Sequence, residues 1–302
     1  MASLATHLIN PLLRIKIKSK LAGETSLASI RRAFETKLPV PRGVQFTSAI
    51  IGHVSGEWAE PMDGMPMMTL LYLHGGAYLG CSAKTHRPIT GGFARRGIRV
   101  FAPNYRLAPE YPYPAAVEDA LATYHGLIEQ GCTPDRLAIA GDSAGGGLAL
   151  AVLLKAKDEG FPLPARVVLF SPWVDLKGGG ASVAENSARD PMIVGDKITK
   201  GAALYLAGAD PEEPFASPLY GDLSALPPTL IHVGSDEVLR DDAVRLDAKI
   251  RAAHGISLLR IWPAVPHAWP IFNVILPEGR QALDESAVFI RYMVPRSTDS
   301  DG

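Results

Sequence analysis

The chain has 302 residues, with 30 lysines and arginines against 31 aspartates and glutamates and 47% hydrophobic residues. That near-neutral balance excludes a protein that binds nucleic acid or bulk membrane through overall charge, and points to a neutral or small ligand. Cys81 and Cys132 are too few for a disulfide framework and lack metal-ligand spacing, so both read as free thiols in a chain long enough for one large core or a core with an appendage.

The first segment, MASLATHLINPLLRIKIKSKL, places its basic residues after its apolar ones and shows no small-residue cleavage site. It therefore reads as neither a secretory signal nor a membrane span, and a cytoplasmic location is the expectation. Its amphipathic pattern fits a helix that covers a pocket or packs on the core, with a membrane-surface helix as the alternative. Residues 46–58 follow as a candidate antiparallel edge hairpin. Apolar runs of strand length then recur at 69–73, 98–102, 136–140, 166–170, 229–233 and 258–262, several of them continuous rather than alternating, as in strands buried on both faces of a parallel sheet. Helical stretches at 86–97, 114–130, 144–158 and 239–254 lie between them, each followed by a closing glycine (Gly97, Gly131, Gly160, Gly255).

This alternation predicts an α/β fold, a mostly parallel central sheet flanked by helices. Residues 1–42 and 178–213 fall outside it and are expected to meet above the sheet as a helical cap, leaving 43–177 and 214–296 as the core and 297–302 as a frayed tail. The GGGAS run opening the second cap segment reads as a flexible connector.

The most informative stretch is LAIAGDSAGGGLALAVLL, residues 137–154. An apolar strand runs into Gly141-Asp142-Ser143-Ala144-Gly145 and directly into a small-residue helix, the pattern of a nucleophile elbow. The turn is tight enough that positions two before and two after the serine must be glycine, and it raises the serine hydroxyl above the sheet. No Walker lysine and no dinucleotide fingerprint accompany it, so a phosphate cradle is disfavoured.

A serine hydroxyl needs a base, and the base needs a group to orient it. In this architecture the acid and then the histidine come from loops after later strands. Asp236, in GSDEVLRDD after strand TLIHV, is the expected acid; His267, in PAVPHAWP after strand LLRIW, is the expected base. Glu237, Asp241 and Asp242 read as residues of the following helix, solvated or facing its N-terminal dipole. Among the other histidines, His7, His125 and His254 lie in helical stretches, His53 in the hairpin, and His232 inside a strand as a core residue, with His86 a weak rival for the base. Strand TLLYL ends in His74-Gly75-Gly76-Ala77-Tyr78, whose backbone N–H groups can approach a substrate oxygen; His74 reads as structural. Arg106 and Glu110 in NYRLAPE read as a loop-fixing ion pair.

With HGGAY, NYRLAPEYPYPAAVEDA, GDSAGG, GSDEVLRDD and PHAW in that order, the chain resembles the hormone-sensitive-lipase-like, bacterial family IV carboxylesterases of the α/β-hydrolase superfamily over residues 40–292. The resemblance implies a catalytic triad of Ser143, Asp236 and His267. It places the oxyanion hole at Gly75, Gly76, Ala77 and Ala144, with Gly76 and Ala77 as the donors of the loop. Ala77 departs from the family's third glycine. Trp269 also departs, from a common phenylalanine, and either narrows the pocket or packs. Tyr78, Met192, Ile193 and Leu204 are the rim candidates. The implied activity is hydrolysis of short to medium acyl-chain carboxylic esters through an acyl-enzyme, with neither metal nor cofactor. An amidase or peptidase with the same triad and a non-catalytic ligand-binding protein on the same scaffold are the alternatives. The partner is a small-molecule ester, with no nucleic acid and no stable membrane insertion. A homodimer through the last sheet-edge strand is compatible with the family, as is a monomer whose edge is covered.

Overall fold

The computed structural model describes residues 2–23, 26–34 and 38–291; the tail at 297–302 lies outside the described residues. The chain begins with α1 (Leu4–Leu13), a π-helical turn at Arg14–Lys18, α2 (Ser19–Ala22) and α3 (Leu27–Phe34). The core then runs β1 (Val44–Ile51), β2 (Val54–Pro61), β3 (Met68–Leu73), α4 (Arg87–Ala94), β4 (Ile98–Pro103), α5 (Ala115–Glu129), β5 (Leu137–Asp142), α6 (Ala144–Asp158) and β6 (Arg166–Phe170). The excursion with α7 (Ser182–Glu185) and α8 (Gly195–Leu206) follows. The core resumes as β7 (Thr229–Gly234), α9 (Arg240–Ala252), β8 (Ser257–Trp262) and α10 (Pro277–Arg291).

The eight strands form one sheet in the order β1-β2-β4-β3-β5-β6-β7-β8. β2 runs antiparallel to both β1 and β4, and all later neighbours are parallel. The continuous apolar strands behave as their composition requires. β3, β5, β6 and β7 are buried along their whole length, and alternate residues serve opposite faces. Leu71, Leu73, Ile139, Val167, Leu169 and Ile231 pack with α5, α6 and α9, whereas Leu70, Tyr72, Ala138, Ala140, Val168 and Phe170 pack with α4 and α10.

The helices close largely as expected. Gly97, Gly131 and Gly160 take the left-handed conformation after α4, α5 and α6. After α9 it is His254 that turns left-handed, at φ 59°, while Gly255 serves for space: a Cβ there would come within 2.7 Å of Ile250. The GGGAS run is not a loose connector. Gly179 N–H donates to Asp175, Ser182 N–H to Asp241, and the buried Ser182 hydroxyl to the Val238 carbonyl. Arg106 and Glu110 do not pair with each other: Arg106 bonds Asp119 and Glu118, and Glu110 bonds Arg31 of α3.

The N-terminal segment and the 178–213 excursion meet. Arg14 donates to the Ala188 and Arg189 carbonyls, and Lys18 to the carbonyls of Ser187 and Asp190. Among the described residues no helix is long and apolar enough to cross a membrane.

Candidate active site

Between β5 and α6, Ser143 is held at φ 53° and ψ −124°, a conformation costly for a side-chain-bearing residue. The surroundings enforce it. Ser143 N–H donates to the Phe170 carbonyl at 2.9 Å, and its own carbonyl accepts from Gly146, Gly147 and Trp173. The glycines beside it are a steric requirement: a Cβ on Gly141 would lie 2.2 Å from the Gly145 carbonyl oxygen, and one on Gly145 would lie 2.0 Å from the Leu73 oxygen. Ser143 therefore faces a cavity of about 1250 Å³ bordered also by Gly76, Ala77, His86, Asp142 and His267.

His267 lies in the loop after β8 and is 7% exposed. Its partner differs from the sequence expectation. Nδ1 bonds Glu237 Oε2 at 2.7 Å, while Asp236 is half-buried with its carboxylate accepting from the Ser235 hydroxyl. The reason is local geometry. β7 continues to Gly234, so the chain turns at Ser235 and Asp236, and Glu237 is the carboxylate that points back under the strand ends. Glu237 is fully buried and its other oxygen accepts from the Ser171 hydroxyl at 2.7 Å and from Gly234 N–H at 2.6 Å. The Ser171 hydroxyl in turn accepts from Ala268 N–H, which ties the histidine loop to the same post. Burial alone disfavours an imidazolium at His267, but the hydrogen bond and charge of Glu237 outweigh it, so the ring holds its proton above the usual histidine value of 6.5. Nδ1–H is committed to Glu237, which leaves Nε2 for proton exchange. Among the described residues no hydrogen bond joins Ser143 Oγ to the ring.

Asp241 and Asp242 lie in the first turn of α9, in keeping with the expected place at its N-terminal dipole, but neither is freely solvated. Asp242 is buried and accepts from Val174 and Asp175 N–H, burial pushing its carboxyl up to about 7, and Asp241 accepts from Ser182 N–H. None of the three is a solvated helix residue.

The loop after β3 is anchored from below by Asp142. Its carboxylate accepts from the Tyr72 hydroxyl at 2.7 Å and from Gly75 N–H at 3.1 Å, and lies 3.3 Å from His86 Nε2. Burial opposes the charge, yet His86 and Tyr72 hold the Asp142 carboxyl below its usual range. Gly75 is thus removed from the expected oxyanion donors, its N–H being taken; a Cβ there would strike Asp142 at 2.3 Å. Gly76 at φ 114° and Ala77 at φ 55° follow, and among the described residues no acceptor is found for either N–H, nor for that of Ala144 at the head of α6. Ala77 thus does occupy the left-handed region, where its Cβ costs about 1 kcal/mol or more. His74 is structural: its ring stacks on Tyr105 at 4.2 Å, its Nδ1–H donates to the Gly75 carbonyl, and burial drives its pKa down to about 3.

Of the expected rim residues, Met192, Ile193 and Leu204 border the cavity. Asp190 fixes the first two by accepting both their N–H groups, and its second oxygen accepts from Val238 beside Glu237. Tyr78 does not reach the cavity; it is 1% exposed and stacks on Tyr205 at 3.7 Å. Trp269 is fully buried, donates to the Glu278 carbonyl and packs on Trp262, so its role is packing. Sequence reasoning missed Glu237 and the His86–Asp142 pair. The fold accepts either carboxylate as the acid, and nothing in adjacent Asp-Glu says which one faces inward.

A strained serine on a strand-to-helix turn, beside a carboxylate-held histidine and a loop of free N–H groups, defines a serine hydrolase of the α/β type. A family model for the alpha/beta hydrolase fold matches residues 70–271. An acetyl-hydrolase of Streptomyces hygroscopicus is 46% identical over 84% of this chain and 84% of its own length. A solved esterase of the bacterial hormone-sensitive lipase family superposes with a TM-score of 0.92 at 39% identity, covering 96% of this chain and 98% of that one. The solved esterase EstE5, soaked with p-nitrophenyl butyrate, gives 0.92 at 41% identity with the same coverage. The chain belongs to the α/β-hydrolases, in their hormone-sensitive-lipase-like carboxylesterase branch, and is a carboxylic ester hydrolase.

Proposed function

We propose that Ser143 is the nucleophile, His267 the base and Glu237, in place of Asp236, the acid that orients it. The observation that carries this assignment is the 2.7 Å bond between His267 Nδ1 and Glu237 Oε2 on the cavity that Ser143 faces. Ser143 Oγ attacks the ester carbonyl as His267 takes its proton. The N–H groups of Gly76, Ala77 and Ala144 receive the developing oxyanion. His267 then protonates the leaving alcohol, and water repeats the sequence to free the acid.

The segments 1–42 and 178–213 act as the cap, and the bonds from Arg14 and Lys18 to the carbonyls of 187–190 support this. Met192, Ile193 and Leu204 form the walls that meet the acyl and alcohol groups. Short to medium acyl chains are the proposed substrates, in keeping with a relative named acetyl-hydrolase and a solved relative soaked with a butyrate ester. The proposed setting is the cytoplasm. β8 is an edge strand with Leu258 and Ile261 half-exposed, which supports a homodimer formed edge to edge; size-exclusion chromatography with light scattering tests it, and a monomer at all concentrations removes it.

Ser143→Ala is expected to lower kcat on p-nitrophenyl acetate by about 10⁴-fold or more, and an alkyl phosphonate is expected to label the wild type once, at Ser143. Undiminished turnover in the variant contradicts the mechanism. A folded wild type that takes no label favours a binding protein instead.

A further inference from the structure

The near-neutral charge of the whole chain hides a local imbalance. Residues 1–22 carry Arg14, Lys16, Lys18 and Lys20 and no acidic residue. Over the same stretch, Leu4, Leu8, Leu12 and Ile15 are 75%, 62%, 54% and 69% exposed. Their spacing of four, four and three residues places them on one stripe of the helical surface. The neighbouring stripe, Ala5, Ile9, Leu13 and Ile17, packs on the core. The outward leucines are therefore surplus to holding the helix in place.

The stripe is continuous with the candidate active site. Leu8 and Leu12 also border the cavity that Ser143 faces, whereas Leu4 and Ile15 lie outside it. Three lysines, Lys16, Lys197 and Lys200, border the cavity as well, and its one bordering carboxylate among the described residues is Asp142, buried 4% exposed beside Ser143. Asp196 stands beside Lys197 in the first turn of α8. Arg14 and Lys18 bond backbone carbonyls, and the Asp190 carboxylate lies close enough to attract Lys18, so the cavity-bordering Lys16, Lys197 and Lys200 carry the main cationic character of this face.

We infer that α1 and the basic turns after it form a docking surface for an anionic phospholipid bilayer, so that the mouth of the cavity opens on the lipid surface. The apolar stripe enters the acyl boundary while the flanking cations meet anionic headgroups, the arrangement of a helix that lies in the interface without spanning it. Esters dissolved in the lipid then reach Ser143 through the mouth. That delivery step rests on the proposed hydrolytic role, but bilayer binding does not, and the experiment reads binding alone.

The test is flotation of the full chain with vesicles of phosphatidylcholine, with and without phosphatidylglycerol. The wild type is expected to partition onto the anionic vesicles about tenfold more than onto the neutral ones at low salt, with the advantage falling as salt screens the headgroups. The double variant Leu4→Glu/Ile15→Glu is expected to lose about tenfold in anionic-vesicle binding while its turnover of soluble p-nitrophenyl acetate stays unchanged. Leu4→Ser/Ile15→Ser serves the same purpose should the charged pair disturb folding, and the salt series on wild type needs no variant. Absence of binding to anionic vesicles overturns the inference, as does binding that neither the variants nor salt alter. A concentration-dependent dimer that the same variants abolish, without vesicle binding, assigns the stripe to a second copy and also overturns it.

Discussion

The floor and the rim of the cavity are built on opposite principles. At the floor, polar groups are buried and engaged. Glu237 makes three hydrogen bonds, Asp142 meets Tyr72, Gly75 and His86, and Ser143 is held in a strained turn that four backbone bonds support. At the N-terminal rim, large apolar side chains stand in solvent. An interior network of this kind fixes geometry, because a buried polar group left without its partner is costly. A rim of exposed leucines fixes nothing internally and is free to set what approaches. On the proposed assignment, chemistry belongs to the first region and access to the second.

Damage to the floor should therefore be severe and damage to the rim selective. Among variants that leave Ser143, His267 and Glu237 in place, the largest effect is expected from Asp142→Ala, which strips the Tyr72 hydroxyl and Gly75 N–H of their acceptor and frees the loop proposed to hold the oxyanion. We expect a fall of about 10²-fold in kcat by misplaced donors and a loss of about 2–4 kcal/mol in stability by urea unfolding. A variant that unfolds normally and turns over normally would break the contrast. A graded effect is expected with pH. On the proposed mechanism attack needs neutral His267, whose proton Glu237 holds above the usual 6.5, so kcat/KM should fall as pH drops through a midpoint higher than that value. Ile193→Ala, at the rim, is expected to shift preference toward longer chains across p-nitrophenyl esters from acetate to laurate, by about tenfold in relative kcat/KM at most. The smallest change is expected from Ala77→Gly. Relief of the left-handed Cβ contributes about 1 kcal/mol, partly offset by the greater chain entropy of glycine when unfolded. Thermal unfolding should show near-neutral to slightly raised stability, with esterase activity kept; complete loss of activity would show that Ala77 lies elsewhere than beside the oxyanion.

The same division explains what the sequence could reveal. The elbow was legible because its glycines are steric necessities, and the sheet because strands buried on both faces must be continuously apolar. His267 was legible from its place after β8. The acid was not, since Asp236 and Glu237 are adjacent and one residue of strand length decides which turns inward. Gly75 looked like a donor because a sequence does not show that Asp142 occupies its N–H. Tyr78 and Trp269 lie close to site residues along the chain, yet stacking on Tyr205 and packing on Trp262 remove both from the cavity. The exposure of Leu4 and Ile15 could not be read either, because the π-helical turn and the core-facing stripe set which side of α1 is left over.

Whether Glu237 or Asp236 orients the base is decided by kcat/KM for Glu237→Gln beside Asp236→Asn on one p-nitrophenyl ester. Glu237→Gln is expected to lose about 10³ to 10⁴-fold, through the wrong imidazole tautomer, and Asp236→Asn to change within about threefold, typical of a partly exposed residue away from the reacting atoms. The reverse order of the two losses would contradict the assignment of Glu237.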